Sequence, residues 1–409
     1  MEKQQIEKLK KGIETIVPEN GLEAKIALAE KENRPLVIKF GMDPTAPDLH
    51  LGHAVAFKKL REFQEKTGAK IVLLVGDFTA AIGDPTGRNT TRPPLTEEEI
   101  KVNAKTYIDQ MGKVIDLNKN VEIVRNSQWL GKMNFADVLK LLAKATLAQM
   151  LQRDDFAKRF DANIPISLHE LVYPMMQGYD SVAIKSDIEF GGRDQLFNCL
   201  VGKTLQESML NFEQGQTVIG MPLLRGLDGV MKMSKSKGNY IGLTESPNDM
   251  FGKTMSIPDE LLPEWIELTT DFSDEEKVNM IADYKNGTVN PMELKKKVAK
   301  SIVRQYHNQQ AADEAEAFFY KQVQQKGFDD KAFTPAKITD VFAGANEMTL
   351  LDICAKLNPQ ESKSNLRRLI ESGAVSVDSE KQTDAYAKIP AKSGIKFKIG
   401  KRLFFELIE

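Results

Sequence analysis

Two near-continuous apolar runs, Leu36-Val37-Ile38-Lys39-Phe40 and Ile71-Val72-Leu73-Leu74-Val75, each stop at a glycine. Runs that do not alternate with polar residues predict strands buried on both faces. Between them, Leu51 to Thr67 places apolar residues at helical spacing among good helix formers. The stretch reads strand, helix, strand, which is a parallel βαβ unit. Val121-Glu122-Ile123-Val124 predicts another strand, the region from Ala136 to Phe160 a long helical stretch, and Thr217-Val218-Ile219 one strand more. An amphipathic helix is expected at the N-terminus. Up to about Gly220 the pattern is that of a doubly wound α/β fold.

From Pro247 to about Gln325 the periodicity is almost wholly helical, and one helix carries the basic run Glu293-Leu294-Lys295-Lys296-Lys297-Val298-Ala299-Lys300. A stretch rich in Gly, Asp, Pro and Lys, Gly327 to Lys337, separates it from a small final unit. A chain of 409 residues is longer than single hydrophobic cores usually grow, which agrees with several domains. With 41% apolar and 28% charged residues, its composition is that of ordinary globular protein and not of a disordered, collagen-like or disulfide-stapled chain. A net charge of −2 supplies no overall attraction to nucleic acid. The basic surplus is local, +3 from Leu351 to Glu409 against −5 for everything before it. Cys199 and Cys354 lack metal-ligand spacing, which predicts buried thiols in a reducing compartment and no zinc site. Met1 to Lys11 lacks the apolar core of a signal peptide and no later run is long enough to span a bilayer, so a cytosolic protein is expected.

The chemistry concentrates where the first strand ends. Gly41-Met42-Asp43-Pro44-Thr45-Ala46-Pro47-Asp48-Leu49-His50-Leu51-Gly52-His53 leaves that strand and opens the helix, the place where open α/β sheets bind ligands. A helix N-terminus offers free N–H groups and partial positive charge to phosphates, and two imidazoles one turn apart add hydrogen bonds. Gly52 lets a flat base approach the backbone. A capped helix with two solvated histidines is the plainer alternative, but it leaves unexplained why two of the chain's four histidines gather there. About 180 residues further on, Lys232-Met233-Ser234-Lys235-Ser236 forms a loop of small and basic residues, whose ammonium groups suit charge moving onto a leaving pyrophosphate. Alone it reads as an exposed basic loop. Together, the two segments read as the triphosphate-handling parts of an ATP-using, nucleotide-activating enzyme.

In this order and spacing, the two segments resemble the paired signatures of class I aminoacyl-tRNA synthetases. Gly83-Asp84-Pro85-Thr86-Gly87, Tyr173-Pro174-Met175-Met176-Gln177-Gly178-Tyr179-Asp180 and Gly191-Gly192-Arg193-Asp194-Gln195 are similar to the amino-acid and ribose segments of the tyrosyl-tRNA synthetases within that class. Pro291-Met292-Glu293-Leu294-Lys295-Lys296 to Tyr306-His307 looks like a segment of that family's helical domain. Ser362 to Ile370 with Gly373 to Asp378 resembles the S-four-like RNA-binding fold that many bacterial members carry. The resemblance covers nearly the whole chain. It implies a Rossmann-like doubly wound parallel-sheet catalytic domain over 1–222, a signature lysine loop over 223–246, an α-helical anticodon-binding domain over 247–330, a linker over 331–347 and a small α+β S-four-like domain over 348–409. It also implies L-tyrosine, ATP and tRNA(Tyr) as substrates, Mg2+ carried on the nucleotide, no tightly bound cofactor, and a homodimer.

On a helix Tyr173, Gln177 and Asp180 share one face, either a pocket wall or a polar face turned to water. The resemblance has Asp180 accept a hydrogen bond from the substrate's phenolic hydroxyl, Tyr173, Gln177 and Asp84 surround its α-amino group, and Gln195 face its carboxylate. A site built to bond that hydroxyl rejects phenylalanine because its polar group would go unpaired. Gly192 and Asp194 suit a ribose, the glycine through close backbone approach and the carboxylate through its two oxygens. Gly41, Asp43, Gly52, Met233 and Ser234 are expected around the ATP. Thr45 and His50 are assigned the γ-phosphate, His53 the ribose or its ring oxygen, and Lys232 and Lys235 the departing pyrophosphate. One position departs from the family: many members have a tyrosine two residues before the first motif glycine, where it also bonds the substrate hydroxyl, and here that residue is Lys39. Its ammonium either bonds the hydroxyl oxygen or pairs with an acidic neighbour. Lys363, Arg367 and Arg368, on one helix face, suit phosphate contact. The helices between Asn134 and Phe160 are either core or the subunit interface the family uses. The rival readings are the tryptophanyl relative, a catalytically silent RNA-binding paralogue, and a nucleotidyltransferase for a non-amino acid, which has no use for the basic C-terminal unit.

Overall fold

The computed structural model describes residues 1–44, 48–82, 96–321, 333–378, 380–400 and 403–409. They form two compact units, Met1–Ala312 and Asp313–Glu409.

A six-stranded sheet runs through the first unit. Its strands are β1 (Thr15–Val17), β2 (Val37–Met42), β3 (Lys70–Val75), β4 (Val121–Arg125), β5 (Ile188–Gly192) and β6 (Thr217–Met221), in the order β1-β6-β5-β2-β3-β4. All neighbours are parallel except β1 against β6. The chain builds outward from β2 through β3 to β4, then returns to lay β5 on the other side of β2. This reversal leaves a crevice at the carboxyl ends of β2 and β5, where doubly wound sheets bind ligands.

The expected βαβ unit is present, with its helix at Leu51–Thr67. That helix buries Phe57 and Phe63, which meet Phe40 and Phe190 edge-on at centroid separations of 5.4 and 5.3 Å. Aromatic pairs favour this geometry over flat stacking. Side chains alternate across a strand, so Lys39 and Glu189, which stand beside each other in the β2–β5 register, face the opposite layer. There Lys39 meets the Leu168–Ile184 helix through Ser181. No described helix is long and apolar enough to cross a membrane.

Three expectations change. The long helical stretch from Ala136 to Phe160 is broken into Phe135–Leu142, Leu147–Met150 and Asp154–Asp161. The first break follows from capping, since Thr146 accepts the Gln149 N–H and starts a helix afresh, whereas the third helix begins after Arg153 with no side-chain cap. Neither β1 nor β5 shows in the hydrophobic pattern, because β1 is three residues long and β5 carries Glu189 and two glycines where an apolar run is sought. The segment expected to be a linker, 331–347, contains β7 (Thr334–Lys337), which pairs in parallel with β13 (Leu403–Ile408). Pro335 is accommodated because β7 is the edge strand of its sheet.

Residues 247–306 are helical as expected, with Ser246, Ser273 and Asn290 capping three helices around a fully buried Trp265. They fall in the same compact unit as the sheet, and Lys58 of the Leu51–Thr67 helix donates to the Thr269 carbonyl. The second unit is α+β. Its sheet has the order β10-β9-β12-β13-β7, where β9 is Val375–Val377, β10 Glu380–Gln382 and β12 Lys396–Ile399. β8 (Glu347–Thr349) and β11 (Lys388–Pro390) form a separate pair. The helices Leu350–Leu357 and Lys363–Glu371 bury Leu350, Ile353, Leu366 and Ile370 in one core with Val375 and Phe397.

Candidate active site

A cleft of about 570 Å³ opens at the carboxyl ends of β2 and β5, and both segments singled out in the sequence line it. Main-chain bonds join them. The Leu51 N–H donates to the Ile241 carbonyl at 3.0 Å, and the Leu243 N–H to the Leu49 carbonyl at 2.9 Å. The chain leaving the lysine loop is thereby stitched to the chain entering the helix. Two stretches about 180 residues apart in sequence become one wall.

At the helix start, the His50 N–H donates to His53 Nδ1 at 3.2 Å, and the two rings lie 3.9 Å apart between centroids. With Nδ1 accepting, the proton of His53 sits on Nε2, which is left as a donor. Burial, followed by the neighbouring His53, Lys235 and Lys232, holds His50 down to about 2. Burial followed by the same two lysines holds His53 at about 4. Both rings are neutral at pH 7, so they can offer hydrogen bonds but no positive charge to a ligand. Gly52 has a use other than admitting a base: a Cβ there would stand 3.0 Å from His50 Nδ1, so the glycine makes room for the imidazole.

The unfolded chain protonates these rings near pH 6.5, the folded chain only well below that. Stability from this source is present above pH 6.5 and is lost as pH falls toward 4, by about 1.4 kcal/mol per pH unit for each ring. Denaturant titrations between pH 7 and 5 are expected to give a shallower loss of stability for His53→Gln than for the parent chain. Equal slopes would contradict a neutral His53.

The lysine loop is anchored before it meets any ligand. Met233 is buried and its N–H donates to the Leu224 carbonyl at 2.8 Å, while the Ser234 N–H donates to Asn239 Oδ1 at 2.8 Å. Lys235 Nζ stands 3.1 Å from Asp48 Oδ2, and Lys232 pairs with Asp194. The carboxylate expected to hold a ribose is therefore already joined to a signature lysine. Gly41 and Gly192 line the same cleft.

The opposite wall is the Leu168–Ile184 helix. Tyr173, Gln177 and Asp180 all line the cleft. The Tyr173 hydroxyl donates to Asp43 Oδ2 at 2.7 Å, and Thr79 Oγ1 to Asp43 Oδ1 at 2.8 Å, so Asp43, expected beside the ATP, also braces the tyrosine side. Gln177 Oε1 accepts from Asn198 at 2.9 Å, and the same Asn198 amide reaches Gln195 Oε1 at 3.4 Å. Asp180 is 1% exposed. Its Oδ1 accepts from Trp129 Nε1 at 2.7 Å and its Oδ2 from Asn126 Nδ2 at 3.4 Å. Burial pushes its carboxyl up to about 7, against the pull of Lys39 and of those two hydrogen bonds. Two expected residues, Thr45 and Asp84, lie outside the described residues. Among the described residues no group of three or more His, Cys, Asp or Glu side chains is arranged to hold a metal ion.

The model of the tRNA synthetases class I (W and Y) family matches residues 31–324. A relative from Photorhabdus laumondii named tyrosine–tRNA ligase 2 is 50% identical over 408 residues, 99% of this chain and 99% of its own. A tyrosine–tRNA ligase from Carboxydothermus hydrogenoformans is 46% identical over 407 residues, 99% of this chain and 98% of its own. The chain belongs to the tyrosine–tRNA ligase family. The fold agrees: the tyrosyl-tRNA synthetase of Archaeoglobus fulgidus, solved with L-tyrosine, superimposes with a TM-score of 0.61 at 24% identity over 76% of this chain and 99% of its own.

Sequence reasoning missed several residues that bond to the lining of this tyrosine–tRNA ligase's cleft. Asn126 follows the carboxyl end of β4, a position that can be flagged from the strand pattern alone, and Trp129 is one of only two tryptophans in the chain. Asn126 links the wall together, donating also to Thr79 Oγ1 at 3.0 Å. Gly76 leaves room for Asp43, since a Cβ there would fall 2.1 Å from its Oδ1. In the second unit Lys363 pairs with Asp352 at 2.8 Å and Arg367 with Glu371 at 2.7 Å, while the Arg367 guanidinium lies 5.6 Å from the centre of the exposed Tyr386 ring. Arg368 lies one residue further on and has no acidic partner within salt-bridge distance among the described residues. Exposed pairs of this kind are weak, so they do not withhold either cation from a phosphate.

Proposed function

We propose that this chain activates L-tyrosine with ATP and transfers the tyrosyl group to the 3′ end of tRNA(Tyr). The observation that carries the reading is Asp180, a buried carboxylate at the base of the cleft, held by Trp129 and Asn126 opposite the stitched histidine and lysine segments. In this reading it accepts the phenolic O–H that phenylalanine lacks. In the first step an oxygen of the tyrosine carboxylate bonds to the α-phosphorus, and the bond from that phosphorus to the bridging oxygen breaks, its electron pair leaving on pyrophosphate. A carboxylate needs no base to become a nucleophile, so the protein's task is positioning and charge stabilisation. His50 and Thr45 hold the γ-phosphate as neutral donors, His53 Nε2 reaches the ribose or its ring oxygen, and Lys232 and Lys235 leave their carboxylate partners for the departing pyrophosphate. Asp194, released by Lys232, takes the ribose hydroxyls. Tyr173 and Gln177 face the α-amino group together with Asp84, and Gln195 faces the carboxylate. Mg2+ arrives on the nucleotide. In the second step a ribose hydroxyl of the tRNA end attacks the carbonyl carbon and AMP leaves.

The helices of 247–306 are proposed to meet the anticodon arm and the α+β unit, through Lys363, Arg367 and Arg368, the tRNA backbone. A homodimer is proposed through the apolar side chains that stay exposed on the short helices around residues 135–168, Phe135, Leu139, Leu147, Phe160 and Leu168. Apolar clusters of that kind mark association surfaces. Both thiols are buried and unpaired, which supports the cytoplasm as the compartment. Pyrophosphate exchange with each amino acid in turn tests the reading. Exchange with tyrosine alone is expected, and exchange with tryptophan alone would overturn the role of Asp180.

A further inference from the structure

Lys39 lies in the middle of β2 and is fully buried, as is its register partner on β5, Glu189. Lys39 Nζ stands 2.9 Å from Glu189 Oε1, 2.7 Å from Ser181 Oγ and 3.2 Å from the Gln177 carbonyl oxygen. Of the three N–H donors of the ammonium, two are given to Ser181 and the Gln177 carbonyl, and Glu189 holds the same nitrogen as its buried counter-ion. Glu189 is equally committed: Ser181 Oγ donates to its Oε2 at 3.0 Å, Gln216 Nε2 bonds that same oxygen, and Gln177 Nε2 approaches Oε1 at 3.4 Å.

Every residue of the tyrosine-facing helix in this network lies within one turn of Asp180: Gln177 precedes it by three positions and Ser181 follows it. The network joins β2, β5 and the chain entering β6 to that single turn. Burying two ions costs several kcal/mol each, and apolar replacements of buried pairs are often neutral or stabilising. Stability alone therefore gives little reason for a charge pair here, directly behind the residues that face the substrate.

We propose that Lys39 is a positioning residue for tyrosine recognition: paired with Glu189, it fixes the register of the helix turn carrying Gln177 and Asp180 and places a positive charge behind Asp180, without touching the substrate. The proposal rests on the tyrosine-binding role given to Asp180 above. The charged groups acting on Asp180 are Lys39 from β2, which favours its ionised form, and Glu189 from β5, which opposes it; Trp129 and Asn126 add neutral hydrogen bonds.

Three proteins are compared: the parent chain, Lys39→Met, and the double variant Lys39→Met with Glu189→Met. In the single variant Glu189 is buried without a counter-ion, so Tm falls, and KM for tyrosine rises about tenfold or more while KM for ATP stays within about twofold. The double variant removes both ions together. Its Tm is expected to return to near the parent value, but its KM for tyrosine stays raised and the pH midpoint of kcat/KM for tyrosine lies above that of the parent. A double variant with the parent's Tm, tyrosine KM and pH midpoint would overturn the proposal and leave the pair a packing element. Exchange by the parent chain with tyrosine is measured alongside. Its absence would overturn the functional reading itself, whereas its presence with a parent-like double variant overturns the role of Lys39 alone.

Discussion

Lys235→Ala is expected to slow tyrosyl-adenylate formation by about 10²–10³-fold, the loss of about 2.7–4 kcal/mol that accompanies removal of one preorganised group from developing charge. KM for tyrosine should move by less than about twofold, because a contact that strengthens only as the bond to pyrophosphate breaks contributes to rate and not to ground-state affinity. Lys235 pairs at 3.1 Å with Asp48, and the two side chains are 22% and 45% exposed. Such a pair is worth less than about 1 kcal/mol, so the variant should melt close to the parent chain and a lost rate cannot be attributed to unfolding. Single-turnover measurement of adenylate formation at saturating tyrosine and ATP decides the matter. An unchanged rate would remove the lysine loop from the chemistry.

Asp180→Asn is expected to act in two opposite directions. Losing a charge-assisted hydrogen bond to the phenol costs about 1.5–3 kcal/mol, which lowers kcat/KM for tyrosine by roughly 10²-fold and narrows the margin over phenylalanine. Stability moves the other way. The Asp180 carboxyl, raised from 3.8 to about 7 by burial, holds its proton in the folded chain over a range where the unfolded chain has released it. Its contribution to stability is present below pH 4 and is lost as pH rises toward 7. At pH 8 the ionised, buried group is a burden that asparagine lacks, so the variant should melt higher than the parent there, and the gap should close by pH 4. Activity given up for stability at one residue marks a functional site. A variant that is both active and no more stable at pH 8 would place Asp180 outside the tyrosine pocket.

How much of this was readable beforehand depended on the range of the interactions involved. β2, β3 and the Leu51–Thr67 helix were legible because burial on two faces, or on one helical stripe, leaves a local periodicity. β5 was not, since its pairing between β2 and β6 supplies the burial that its own Glu189 and glycines conceal. The helix break at Thr146 carries a cap residue that a search for apolar spacing passes over. Within the site, spacing put Tyr173, Gln177 and Asp180 on one helix face, and the resemblance to the tyrosyl-tRNA synthetases made that face a pocket wall. Asp43 was already expected beside the ATP, but its bonds to Tyr173 and Thr79, and those of Trp129 and Glu189 to the same helix, join stretches far apart in sequence that only the topology brings together. Lys39 shows the limit most clearly: its identity was visible, but its ion-pair partner, Glu189, stands 150 residues away.

The first turn of a helix is ordinarily where proline is welcome, because the N–H it lacks has no partner there. Leu51 is a different case. Its N–H is committed to Ile241, and the Leu243 N–H returns the bond to Leu49. The alignment of the histidine and lysine segments is thus written in main-chain atoms, which ordinary side-chain replacement leaves untouched. A single proline at 51 or 243, apolar for apolar, would open that seam.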